Sequence, residues 1–146
     1  MSDAELKELC EEVLEEVLFE LDLSVGIVSK IDGASYSIVA VKSDTGVFKA
    51  GEAFELKDTY CREVIEKRQT IALTQLDDTP GLCKHPLYSG LPLESYISAP
   101  IMMADKVWGT LNFSSMITRE SEFSLEEIEL VETRAKQISE FIDRAN

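Results

Sequence analysis

The stretch that most constrains this chain is ESYISAPIMMADKVWGTLNFSSM, residues 94–116. It reads as two strands, Ser95–Met102 and Val107–Ser114, joined by a tight hairpin. In the first, Tyr96, Ser98 and Pro100 alternate with Ile97, Ala99 and Ile101. In the second, Trp108, Thr110, Asn112 and Ser114 alternate with Val107, Gly109, Leu111 and Phe113. Side chains two apart in a strand share a face. One face of the hairpin is therefore apolar. The other combines aromatic rings, hydroxyls and an amide, as the wall of a small-molecule pocket does. The same pattern also fits a half-buried strand whose polar face meets water.

The flanking segments supply the layers such a hairpin needs. Ser2–Leu21 is expected to be a helix, opened by a Ser2/Glu5 capping box. Leu6, Leu9, Cys10, Val13, Leu14, Val17, Leu18 and Leu21 recur at steps of three and four, a broad apolar stripe. Glu8, Glu11, Glu12, Glu15 and Glu16 fall largely outside it and read as a solvated face. Cys10 lies in the stripe and reads as a small buried hydrophobe. Ser24–Ile31 and Tyr36–Lys42 read as strands with Asp32-Gly33 between them, a hairpin signal. A loop or short edge strand over 43–51, a helix over 56–67 and a short strand over 70–73 follow. Residues 80–90 read as an irregular helical segment, cut short by Pro86 and Pro92.

Ser124 and Glu127 form a second capping box ahead of a last helix, 124–145. There Ile128, Val131, Ala135, Ile138 and Ile142 recur at alternating three- and four-residue steps. That spacing is the seam of a coiled coil and points to a homodimer through the terminal helices. A helix lying on its own sheet gives the same spacing. The chain divides into a helix at 1–22, a sheet-and-pocket body at 23–123 and a helix at 124–146, one domain over 1–146.

Bulk composition excludes several classes of function. Hydrophobic residues make up 45%, which suits a folded globule and not a disordered chain. Twenty-eight acids against 14 bases give a formal charge of −14. That opposes binding to nucleic acid, which rests on neutralising phosphates, and docking on anionic lipid. No long apolar run suggests a membrane span. Three widely spaced cysteines, Cys10, Cys61 and Cys83, make neither a disulfide framework nor a CxxC pair, which suits a reducing cytoplasm.

Catalytic signatures are missing: there is no phosphate-binding glycine loop, no HExxH and no nucleotide fingerprint. His85 is the sole histidine. Cys61, Cys83 and His85 match no zinc-ligand spacing, so no metal is expected.

HPLYSGLPLESYISAPI (85–101), VWGTLNFSS (107–115) and FSLEEIELVETRAKQI (123–138), with TYCREVIEKRQTIAL (59–73) upstream, together resemble a GAF domain. The resemblance is to the variety found in bacterial sensor histidine kinases and cyclic-di-nucleotide signalling proteins. It implies an α+β fold: an antiparallel twisted sheet with N- and C-terminal helices on one face and a ligand pocket on the other. It implies a non-catalytic sensory module, dimerising through its terminal helices and passing its signal to an output domain or partner. The residues it places on the pocket are Tyr60, Cys61, Cys83, His85, Tyr88, Tyr96, Ser98, Thr110, Asn112 and Ser114. The ligand is an unidentified small molecule, and no cofactor is specified. A GAF domain without a ligand, serving only as a dimerising spacer, is the alternative. Two others use thiols. Cys83 sits near where phytochrome relatives attach a bilin, although Lys84 follows it and the upstream Asp-containing bilin motif has no counterpart in 54–66. Cys61 and Cys83 could also serve a free methionine sulfoxide reductase, whose Gly- and Cys-rich motifs are absent here.

Overall fold

The computed structural model describes residues 3–43, 50–55, 69–73, 95–115 and 123–144. Its elements in chain order are α1 (Asp3–Leu21), β1 (Val25–Asp32), β2 (Ser35–Ser43), β3 (Ala53–Glu55), β4 (Ile71–Leu73), β5 (Ser95–Met103), β6 (Lys106–Ser115) and α2 (Leu125–Arg144). The strands form one sheet in the order β3-β2-β1-β6-β5-β4. Every described pairing in it is antiparallel. The helices anticipated at 56–67 and 80–90, and Ser2 of the first capping box, lie outside the described residues.

Local chemistry explains the boundaries. α1 stops where Asp22 turns left-handed at φ 53°, and the Leu23 N–H reaches back to the Leu18 carbonyl at 3.3 Å. This is a Schellman-type stop with an aspartate in the place glycine usually fills. β1 and β2 are joined through Gly33 and Ala34, since Asp32 still pairs with Ser35. Gly33 takes the positive φ of 62° that this first turn position demands. α2 opens with both halves of its capping box. The Glu127 N–H donates to Ser124 Oγ at 3.1 Å, and the Ser124 N–H donates to Glu127 Oε1 at 2.8 Å. Glu126 and Glu127 lie in its first turn and Arg144 in its last, matched to the helix dipole.

Both helices pack on one face of the sheet, α1 over β1 and β2 and α2 over β5, and they touch each other. The core is the layer between. The sheet contributes Val28, Ala40, Ile97, Ala99, Ile101, Leu111 and Phe113, and α1 contributes Leu6, Cys10, Val13, Leu14, Val17 and Leu21. From α2 come Val131, Ala135, Ile138 and Ile142, at most 4% exposed.

Those α2 residues, expected on an intermolecular seam, are covered within the protomer. With Ile128 half-buried beside them, the 3–4 stripe is the face by which α2 lies on its own sheet. Ser139, in the same stripe, hydrogen-bonds the Met102 carbonyl of β5 and fixes the helix along the strand.

Candidate functional site

The other face of the sheet is where the polar half of the hairpin points. The register sets Tyr96 opposite Ser114, Ser98 opposite Asn112 and Pro100 opposite Thr110. It also sets Ser29 of β1 opposite Thr110 and Ile27 opposite Asn112. Directly opposed residues project to the same side. Five of the expected site residues, Tyr96, Ser98, Thr110, Asn112 and Ser114, therefore share one surface. Each is at most 4% exposed. Since α1 and α2 occupy the opposite face, this burial owes nothing to them. Tyr60, Cys61, Cys83, His85 and Tyr88 lie outside the described residues.

A buried polar face must find its hydrogen bonds within itself or in a ligand. Most of this one is self-satisfied. Ser29 Oγ and Thr110 Oγ1 lie 2.6 Å apart, and the Thr110 N–H donates to Ser29 Oγ at 3.2 Å. Asn112 Nδ2 donates to Thr110 Oγ1 at 3.2 Å and to Tyr36 Oη at 3.4 Å. Ser98 is the exception. Its hydroxyl is fully buried, across the strand pair from Asn112, and has no hydrogen-bond partner among the described residues. Leaving a buried hydroxyl unpaired costs on the order of 1–3 kcal/mol. Val25, Ile27 and Ile38 complete the face as buried apolar residues. None of these groups is ionisable near neutral pH.

Ser29 and Tyr36 belong to this network and are not among the site residues expected from sequence. Tyr36 is 1% exposed and Ser29 fully buried. The available signal was Val25, Ile27, Ser29 in alternation, a hydroxyl at a period-two position of an otherwise apolar strand.

The backbone adjusts to bring these groups together. At Gly109, β6 crosses β1 so closely that a Cβ would run into the Ser29 carbonyl, with its carbon at 2.8 Å. Only glycine permits that approach. Next to it the β5–β6 register shifts: Ile101 pairs with Gly109 but Met102 with Val107, leaving Trp108 as an extra residue. Simple alternation had put Trp108 with Thr110, Asn112 and Ser114. The bulge instead turns it to the helix side, where it packs half-buried on the core with the Lys30 ammonium 5.9 Å from its ring centroid.

Two surface grooves lined by described residues lie away from the polar face. One, of about 690 Å³, runs between α2 and the β4–β5 edge, where Thr70 donates to Glu132 at 2.7 Å. The other, of about 560 Å³, lies between the outer sides of α1 and α2. Cys10 is the one cysteine among the described residues. It is fully buried, and burial, aided by the charge of Glu11, pushes its thiol up to about 12. It is a neutral core group and no nucleophile.

The chain belongs to the GAF domain family, whose model matches residues 3–143. No curated protein matches it. Among solved structures it is similar to the GAF domain of an Acinetobacter phosphoenolpyruvate-protein phosphotransferase, at 17% identity, covering 96% of this chain and 83% of that one, with a TM-score of 0.78. It is similar to the phycocyanobilin-bound GAF domain of a cyanobacterial phytochrome, at 18% identity, 95% and 85% coverage and a TM-score of 0.77. It is also similar to a type II free methionine-R-sulfoxide reductase from Thermoplasma acidophilum, at 10% identity, 97% and 95% coverage and a TM-score of 0.78. At such identities the likeness is one of fold.

Proposed function

We propose that this chain is a non-catalytic sensory module of a cytoplasmic signalling protein, of the kind that serves bacterial sensor kinases and cyclic-di-nucleotide enzymes. It takes a small molecule on the polar face of its sheet. The observation that carries the reading is the fully buried Ser98 hydroxyl beside Asn112, which has no partner among the described residues. A ligand that accepts from or donates to Ser98 removes the cost of burying it. Among the described residues the surrounding groups are hydroxyls, an amide, tyrosines and aliphatic side chains, which suit an uncharged part of the ligand. A charge placed among them would lose its hydration without a counter-ion.

Binding on one face is felt on the other through the strands themselves. Thr110 and Asn112 alternate along β6 with Leu111 and Phe113, which hold the helical layer. A ligand that prefers one placement of β6 biases the placement of α1 and α2, provided it binds the two arrangements with different affinity.

The self-satisfied bonding of Ser29, Thr110, Asn112 and Tyr36 supports a second reading, a ligand-free structural module. Native mass spectrometry of the purified protein, with an absorption spectrum of the same sample, separates the two. The sensory reading expects a co-purifying small molecule that Asn112→Leu no longer carries. A wild type with no added mass moves the assignment to the structural module. Visible absorbance abolished by Cys83→Ser would replace both with a bilin photosensor.

A further inference from the structure

We infer that the groove between the outer sides of α1 and α2 is a docking site for a basic amphipathic helix of a partner protein. Phe19 of α1 is 86% exposed, on a helix whose other large apolar residues are buried or half-buried. It lines the groove together with Leu130 of α2. An exposed aromatic next to a concave, partly apolar surface is what an interface hot spot looks like.

Charge decides what fits. Glu12, Glu15, Glu16 and Glu20 line the same groove. The one cation among its lining residues, Arg134, is already held by Glu16 at 2.9 Å. These acids run along about 12 Å of α1, the length of two helical turns. They also crowd the C-terminal half of a helix whose last turn contains no base. Glu20, in that last turn, faces the negative end of the helix dipole. A partner bringing lysines or arginines relieves that repulsion while an apolar side covers Phe19. A second copy of this chain is a poor occupant. A two-fold pairing of this surface sets acids against acids, since α1 holds eight of them and a single base, Lys7. Each copy also carries a formal charge of −14.

The inference gives the regulatory reading its outlet, but its test does not depend on the pocket. A fluorescein-labelled synthetic Leu/Lys amphipathic helix of about 18 residues, roughly 27 Å long, is titrated against the full chain at low and high salt. A Leu/Glu peptide of the same pattern is the control. Amide shifts map the site. The Leu/Lys helix is expected to bind with shifts centred on α1 and α2, and the Leu/Glu helix not at all. Phe19→Ala, at a solvent-exposed position, should weaken binding at least about tenfold. Glu12→Gln, Glu15→Gln and Glu20→Gln together should flatten the salt dependence. The peptide is read directly through shifts on α1 and α2, so a polar face that takes no ligand leaves this test intact. Shifts scattered over the acidic surface, or binding indifferent to Phe19→Ala, would overturn the inference. So would a chain that sediments alone as a dimer and becomes a monomer on Phe19→Ala, which would assign the groove to a second copy.

Discussion

The two faces of the sheet are built from the same strands, yet they are solved differently. The helix side is dry hydrocarbon: Leu111, Phe113, Ile97 and Ile101 lie against α1 and α2, and the one cysteine described there is held as a neutral thiol. The opposite side is just as buried but carries Ser29, Ser98, Thr110 and Asn112. A fold in need of stability alone would fill both sides with aliphatic residues, since buried polar groups gain little even when fully paired. The helix side carries the apolar packing of the domain, and the polar side is the face proposed for a ligand. Neighbouring residues of β6 serve opposite duties, so neither face can move independently of the other.

The sharpest way to break the comparison is Gly109→Ala. The added methyl meets the Ser29 backbone, which cannot rotate away as a side chain could. Both faces should fail together, with a loss of more than about 4 kcal/mol, seen as loss of the cooperative unfolding transition. A variant that unfolds like the wild type would show that β1 and β6 are less tightly apposed.

Next in size is a pH effect confined to the dry side. The Cys10 thiol, normally near 9.0, is raised to about 12 in the folded protein. Between those values the unfolded chain ionises first and binds fewer protons, so stability falls as pH rises. The slope approaches about 1.4 kcal/mol per pH unit. Urea denaturation at stepped pH should show wild type losing stability above pH 9 faster than Cys10→Ala, with equal slopes below. Parallel slopes throughout would mean that the thiol is solvated.

The smallest effect belongs to the polar face. Ser98→Ala removes a hydroxyl without a partner among the described residues, and should leave the apo protein unchanged or more stable by up to about 1–2 kcal/mol. Any co-purifying ligand should be lost. A destabilised Ser98→Ala apo protein would show that the hydroxyl is paired after all.

Much of this was legible because it is local. The capping box of α2, the β1–β2 hairpin, the apolar stripe of α1 and the buried state of Cys10 depend on residues a few positions apart, where propensity and periodicity act directly. The shared face of Tyr96, Ser98, Thr110, Asn112 and Ser114 followed from period two within one hairpin. What escaped depends on distance or on an interruption. Ser29 and Tyr36 join the network through pairings with residues more than 70 positions away. Trp108 changed sides because one extra residue resets the alternation, and nothing in VWGTLNF announces it. The α2 stripe left two readings open for another reason. A helix on a helix and a helix on a sheet bury the same 3–4 spacing, so the pattern identifies a buried face and not what covers it.

The bulge has one more consequence. Trp108 is the only tryptophan in the chain, and it sits at the bulge, half-buried under a lysine ammonium. All of the protein's indole emission therefore comes from the place where β5 and β6 change register. An unfolding curve followed by that emission watches the slip-point of a single hairpin on the helical side of the sheet. It is a different clock from one set by the hydroxyls behind it.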